Sequence, residues 1–214
     1  MPPTDDPTAE STLRVYSDYV CPFCYLGRAS LSAYREDTED PPDVDWRPFD
    51  LRGHKRGPDG TIRDNVDDGK DEAYFDRVRQ NVDRLSARYG VEIDLELARD
   101  IDSWNAQQAA LYVRREYGED AFVAFHDAVF DALWEAGRDI GDPAVLGELA
   151  EANDLPAEEI RRAIEDDDLA AALEAEFRDA QQTGVSAVPT FVYDGHAARG
   201  AVPPAQIERL VNGA

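Results

Sequence analysis

The chain has 214 residues, of which 22 are Lys or Arg and 46 are Asp or Glu, and its formal net charge is −24. With 43% hydrophobic residues it can bury the core of an ordinary domain, which excludes an acidic disordered tail. No basic stripe is available for phosphates, which excludes a nucleic-acid partner, and no run approaches the roughly 18 apolar residues of a membrane-spanning helix.

Residues 1–11 are Pro-rich and acidic, with neither a basic n-region nor an apolar h-region, and read as a disordered cytoplasmic N-terminus. Leu13–Ser17 alternates β-branched and aromatic residues with polar ones and predicts a strand. Cys21-Pro22-Phe23-Cys24 follows and holds the only two cysteines of the chain. Leu26, Ala29, Leu31, Ala33 and Tyr34 then predict a helix of about 15 residues, with Pro22 at its first position, where a missing N–H costs nothing. Cys21 therefore caps a helix N-terminus, whose dipole favours a thiolate and so a nucleophile. Cys24, one turn deeper, points toward the sheet and is shielded. Thiol–disulfide exchange needs that asymmetry, because one sulfur attacks the substrate and the second resolves the mixed disulfide.

Other uses of the pair fit less well. A zinc site needs about four ligands, yet no second cysteine pair exists and His54, His126 and His196 lack metal-ligand spacing. A structural disulfide across two residues would remove little loop entropy. In a reducing cytosol such a pair is more often catalytic than structural.

Val44–Leu51 predicts a second strand, with Pro48 marking an edge or a bulge, and strand, helix, strand makes a βαβ unit. Arg52–Lys70 is Gly-rich and reads as a long loop. The basic cluster Arg47, Arg52, His54, Lys55 and Arg56 reads as solvated in preference to a dock for an acidic partner. From Asp71 to Thr183 a helical period dominates, with breaks at Gly90, Gly118, Gly141-Asp142 and Asn153-Asp154. His126 lies on the apolar face of one of these helices and reads as a packed side chain, not a ligand. Sheet signals return at Thr190–Tyr193, then a turn at Asp194-Gly195, the run Ala197–Arg199 and a last helix opened by Pro203-Pro204. Acid runs such as Asp166-Asp167-Asp168 recur throughout and read as a coating. It resembles the surfaces of proteins from salt-loving microbes such as haloarchaea, since screening shortens to roughly 3 Å in molar salt.

The arrangement resembles the thioredoxin-like α/β fold with an inserted all-helical domain, as in the DsbA family. Ser17-Asp18-Tyr19-Val20-Cys21-Pro22-Phe23-Cys24-Tyr25-Leu26-Gly27, the stretch from Phe130 to Asp142, Gly184–Val192 and Gly200–Pro204 are similar to segments of its FrnE-like subgroup. The resemblance implies a thioredoxin-like domain over 12–65 and 185–214 and a helical insertion over 66–184. It implies a thiol–disulfide oxidoreductase in which Cys21 attacks, Cys24 resolves and Pro189, in a cis peptide with Val188, closes over the pair. Pro22, Phe23, Val188 and Thr190 would contact the substrate, a cysteine-containing polypeptide or a low-molecular-weight thiol or disulfide. A redox partner would recharge the pair, and neither cofactor nor metal is called for. The chain departs from the subgroup at Ala187, usually Gly, and at Phe23, often Trp. Two rivals stand beside this reading: a glutathione-type isomerase or kappa-class-like transferase, in which serine commonly replaces the attacking cysteine, and a holdase chaperone using its helices.

Overall fold

The computed structural model describes residues 12–57, 60–63, 66, 69, 71–95 and 100–213, so the expectation for 1–11 lies outside the described residues. The elements run β1 (Leu13–Ser17), α1 (Pro22–Glu36), β2 (Val44–Pro48), a 3-10 turn (Gly53–Lys55), α2 (Glu72–Tyr89), α3 (Trp104–Tyr117) and α4 (Glu119–Trp134). They continue with α5 (Pro143–Ala152), α6 (Ala157–Ile164), α7 (Asp167–Gln182), β3 (Thr190–Tyr193), β4 (His196–Arg199) and α8 (Pro204–Asn212).

The sheet has the order β2-β1-β3-β4. β1 is parallel to β2 and antiparallel to β3, which makes it a central strand, and Leu13, Val15 and Tyr16 are buried on both of its faces. This is a thioredoxin-like α/β arrangement, with α2 through α7 falling between β2 and β3. Pro48 lies on an edge strand, where its missing N–H breaks no ladder. The strand expected as far as Leu51 ends at Pro48. Phe49 N–H still reaches the Ser17 carbonyl at 2.9 Å, but Leu51 N–H turns to the Asp18 carboxylate at 2.8 Å and draws the chain off the sheet. At the β3–β4 turn both Asp194 (φ 46°) and Gly195 (φ 73°) are left-handed, as a tight hairpin of native twist demands.

Capping explains where the helices begin. Asp71 and Asp166 accept the backbone N–H groups of Tyr74 and Leu169, while Pro143 opens α5 behind Asp142. One continuous core runs from the sheet into α3, α4 and α5, with Phe125, Phe130, Leu133, Leu146 and Phe191 almost fully enclosed. Each such side chain contributes about 1.5–3 kcal/mol. A smaller cluster of Leu26, Val82 and Leu85 fastens α2 to α1.

The basic cluster is not uniformly solvated. Arg56 bonds both Asp50 and Asp102 and stacks 4.7 Å over Trp104, and Arg47 bonds Asp45 and Glu176. These two guanidiniums tie the loop and β2 to the helices, because each finds carboxylates brought from distant parts of the chain.

Candidate active site

Cys21 is the N-cap of α1, in extended conformation, and Pro22 occupies the first turn behind it. The Cys21 thiol points at the Val188 carbonyl, 3.6 Å away. Cys24, one turn deeper, accepts the backbone N–H of Asp18 at 3.5 Å. Both cysteines are free thiols. Cys24 is shielded as the spacing predicts, at 1% exposed, but Cys21 is covered as well, at 3%. The two sulfurs therefore differ in their partners more than in their exposure. Burial pushes the Cys24 thiol well up, and the hydrogen bond with Cys21 and the charge of Cys21 act the same way. The Ser17 hydroxyl and the Asp18 N–H pull it back.

The segment before β3 completes the site. The Val188–Pro189 peptide is cis. A Cβ at Gly27 would stand 3.0 Å from Pro189 Cγ and 3.4 Å from the Phe191 ring, so α1 approaches this segment through a position without a side chain. Gly27 inside the helical pattern is the local sequence signal of that approach, beside the closure of Pro189 that the resemblance implies. Val188 is 8% exposed, and Pro22 and Phe23 are half-buried beside the cysteines. Thr190, expected beside the substrate, follows directly after the cis peptide. Its side chain is buried and donates to the Ala187 carbonyl at 2.7 Å, which holds the segment's shape. Ala187, where the subgroup has glycine, adopts no positive φ.

A buried polar network stands behind the pair, and of its members only Asp18 lies in the quoted cysteine segment. Asp18 is 1% exposed, and its carboxylate accepts the Val20 N–H at 3.3 Å, the Leu51 N–H at 2.8 Å and the Ser103 hydroxyl at 2.6 Å. Burial outweighs the bonds from Ser103, Leu51 and Val20 and pushes its pKa up to about 6. Ser103, at the head of α3, spends its hydroxyl on Asp18 and makes no cap bond, while Gln107 donates to both Ser103 Oγ and the Phe49 carbonyl. One buried network thus joins the active-site loop, the end of β2 and α3.

His126 is a packed side chain, as read from its apolar face. It is buried against Trp46, Phe122 and Phe130, with the Tyr19 hydroxyl 2.8 Å from Nδ1. Burial, with Arg28 and Arg114 nearby, lowers its pKa well below the usual range and keeps it neutral. Among the described residues no three His, Cys, Asp or Glu side chains gather as a metal site, and no helix is long and apolar enough to cross a membrane. Chemically, two thiols one helical turn apart can close to a disulfide and reopen through a mixed disulfide.

Known proteins share this family and fold. The chain is 27% identical over 206 residues to the uncharacterized Bacillus subtilis protein YwbO, covering 94% of this chain and 95% of that one. It is similar to the structure of a probable DsbA oxidoreductase from Streptomyces coelicolor, at 25% identity and a TM-score of 0.75, covering 94% and 88% of the two chains. The fold is shared with the cytosolic disulfide reductase DsbM of Pseudomonas aeruginosa, at 21% identity, a TM-score of 0.62 and coverage of 94% and 92%. A 2-hydroxychromene-2-carboxylate isomerase shares it too, at 17% identity, a TM-score of 0.73 and coverage of 94% and 95%. The DSBA-like thioredoxin domain pattern matches residues 12–212, and the chain belongs to that family.

Proposed function

We propose that this chain is a dithiol–disulfide oxidoreductase for cysteine-containing polypeptides, with Cys21 as nucleophile and Cys24 as resolver. The observation that carries the reading is the Cys21 thiol at the head of α1, 3.6 Å from the Val188 carbonyl, with Cys24 one turn below it on the Asp18 N–H. Cys21 leaves the Val188 carbonyl, gives up its proton and attacks one sulfur of a substrate disulfide, whose S–S bond breaks and expels the other sulfur as a thiolate; Cys24 then loses its proton and attacks Cys21, whose bond to the substrate sulfur breaks and releases the second substrate thiolate. The freed Val188 backbone is suited to pairing with an extended substrate segment. Pro22 and Phe23 supply apolar contact beside the sulfurs, Pro189 packs over α1 at Gly27, and Thr190 enters as a positioning residue. Residues 66–184 act as the helical insertion that backs the site. A cytosolic setting, a FrnE-like relationship and a salt-rich habitat belong to the same reading, supported by the cytosolic disulfide reductase among the similar structures and by the net charge of −24. A low-molecular-weight disulfide is a second substrate class, since DsbM is also known in a structure with GSH.

The test is insulin reduction and oxidative refolding with wild type, Cys21→Ser and Cys24→Ser. Both variants should lose turnover, and Cys24→Ser should accumulate a mixed disulfide that Cys21→Ser does not form. Glutathione-dependent isomerisation that survives loss of Cys24, or holdase activity without any thiol turnover in the wild type, would overturn the proposal.

A further inference from the structure

The peptide groups of Asp18 reach both cysteines. The Asp18 carbonyl accepts the Cys21 N–H at 3.1 Å, and the Asp18 N–H donates to Cys24 Sγ at 3.5 Å. Residues 18–20 lie between β1 and α1, outside the sheet ladder, so the direction of that N–H is set by whatever holds this short segment. Three side chains far along the chain hold it. Ser103, ahead of α3, donates its hydroxyl to Asp18 Oδ1 at 2.6 Å; the Trp134 indole N–H of α4 reaches the Tyr19 carbonyl at 2.9 Å; and His126 Nδ1 of α4 meets the Tyr19 hydroxyl at 2.8 Å. Ser103, Trp134 and His126 are only 3%, 2% and 5% exposed, so bulk water does not compete for these bonds.

Ser103 is the informative member. A serine before a helix ordinarily turns its oxygen back to the N–H groups of the first turn, and Ser103 makes no such bond. The head of α3 is served by Asp102 Oδ1 instead, which takes the Trp104 N–H at 3.0 Å. Gln107, one turn along α3, donates from Nε2 to Ser103 Oγ at 3.1 Å and to the Phe49 carbonyl at 3.2 Å. A carbonyl can only accept, so it fixes which way round the amide lies, and the Ser103 proton is left for the Asp18 carboxylate. Of the three groups that bond this carboxylate, Val20 and Leu51 do so through backbone N–H, and only Ser103 uses a side chain.

We propose that Ser103 is a positioning residue of the resolving step, holding Asp18 so that its N–H stays on the Cys24 sulfur while that sulfur takes on negative charge. The inference rests on the dithiol reading above. In this step the Cys24 S–H bond breaks, its sulfur bonds to Cys21, the bond from Cys21 to the substrate sulfur breaks, and the electron pair leaves on the substrate sulfur. The proton that Cys24 gives up is balanced by the one the departing thiolate gains; the enzyme pair is oxidised and the substrate disulfide reduced. Cys24 is 1% exposed, so a fixed N–H stands in for the water that would solvate a charged sulfur elsewhere. The attack by Cys21 does not draw on this bond, because the Cys21 thiol faces the Val188 carbonyl. Loss of the Ser103 hydroxyl therefore separates the two half-reactions, which a general loosening of the fold would not do.

The test is single-turnover reduction of a disulfide-linked peptide at one pH, quenched in acid, with the mixed disulfide followed by intact mass. The proteins are wild type, Ser103→Ala, Ser103→Thr and Gln107→Met, the last of which removes the donor that orients Ser103 at nearly constant volume. Ser103→Ala should form the mixed disulfide at the wild-type rate and resolve it on the order of tenfold more slowly, the effect of one weakened hydrogen bond to a charged group. Gln107→Met should fall between the two, and Ser103→Thr, which keeps the hydroxyl, should recover the rate. Hydrogen exchange at the Asp18 amide, read by NMR, should quicken in Ser103→Ala and not in Ser103→Thr. Urea unfolding identifies the folded variants, and Gln107→Met carries the same expectation where Ser103→Ala does not fold. Wild-type resolution in the folded variants overturns the proposal, as does slowing of formation and resolution together, or a threonine variant no faster than the alanine one. A wild type that forms no mixed disulfide overturns the dithiol reading, and this one with it.

Discussion

Replacing Asp18 by Asn tests whether a buried charge, not a structural hydrogen bond alone, sits behind the cysteine pair. Burial is the largest influence on this carboxyl and carries its pKa from 3.8 to about 6, against the lowering bonds from Ser103, Leu51 and Val20. At about 1.4 kcal/mol per tenfold change in proton affinity, that difference corresponds to roughly 3 kcal/mol. The folded protein holds this proton more tightly than the unfolded chain. The associated stability is therefore fully present below about pH 4 and is lost as pH rises through about 6. Asp18→Asn has no such titration. It does lose one acceptor oxygen, so an amide NH₂ meets the N–H of Leu51 or Val20, at a cost of about 1–3 kcal/mol; Ser103 can turn its hydroxyl to accept. Near pH 8 the two effects oppose and the variant should lie within about 2 kcal/mol of wild type. The assay is urea unfolding of both reduced proteins at constant salt from pH 4.5 to 8. The advantage of wild type over variant should shrink by about 2 kcal/mol across that range. A constant difference would refute the reasoning, and one that grows with pH would mean that its partners stabilise the carboxylate more than burial opposes it.

Three other outcomes follow from the geometry. Iodoacetamide at pH 7 to 8 should modify Cys21 and spare Cys24 in the native dithiol, because burial keeps Cys24 protonated; peptide mass mapping reads this, and equal labelling would count against it. Arg56→Ala should cost about 3–5 kcal/mol in urea unfolding, because it strands the Asp50 carboxylate, 7% exposed, with Asp102 beside it, while Arg56→Lys should lose less; a change under about 1 kcal/mol for the alanine variant would refute the tie. With a net charge of −24, Tm should rise as KCl goes from about 0.1 M to 1 M, where the screening length falls from about 10 Å to 3 Å; a flat response would show that the acid coating repels itself little.

Short-range patterns determined much of the architecture by themselves. Alternation over Leu13–Ser17, Pro22 at the head of a helix, Gly90 after Tyr89 and Asp194-Gly195 between two strands each encode their structure within a few residues, because backbone sterics, capping and turn handedness act over one turn. Cys21 at the head of α1 with Cys24 one turn deeper was legible for the same reason. The surroundings of those sulfurs were not legible from local pattern: Val188 and Pro189 were indicated by the family resemblance alone, and Ser103 and Gln107 by nothing. Val188 lies 167 positions from Cys21, Ser103 lies 85 from Asp18, and no local period marks a residue that acts through a partner so far along the chain. The basic cluster shows the same limit, since Arg56 looked solvated until folding set it between Asp50 and Asp102. Composition and periodicity settled which face of each element is apolar; packing settled which polar groups share an interior, and there the Asp18 carboxylate, Ser103 and Gln107 form one buried network behind the cysteine pair.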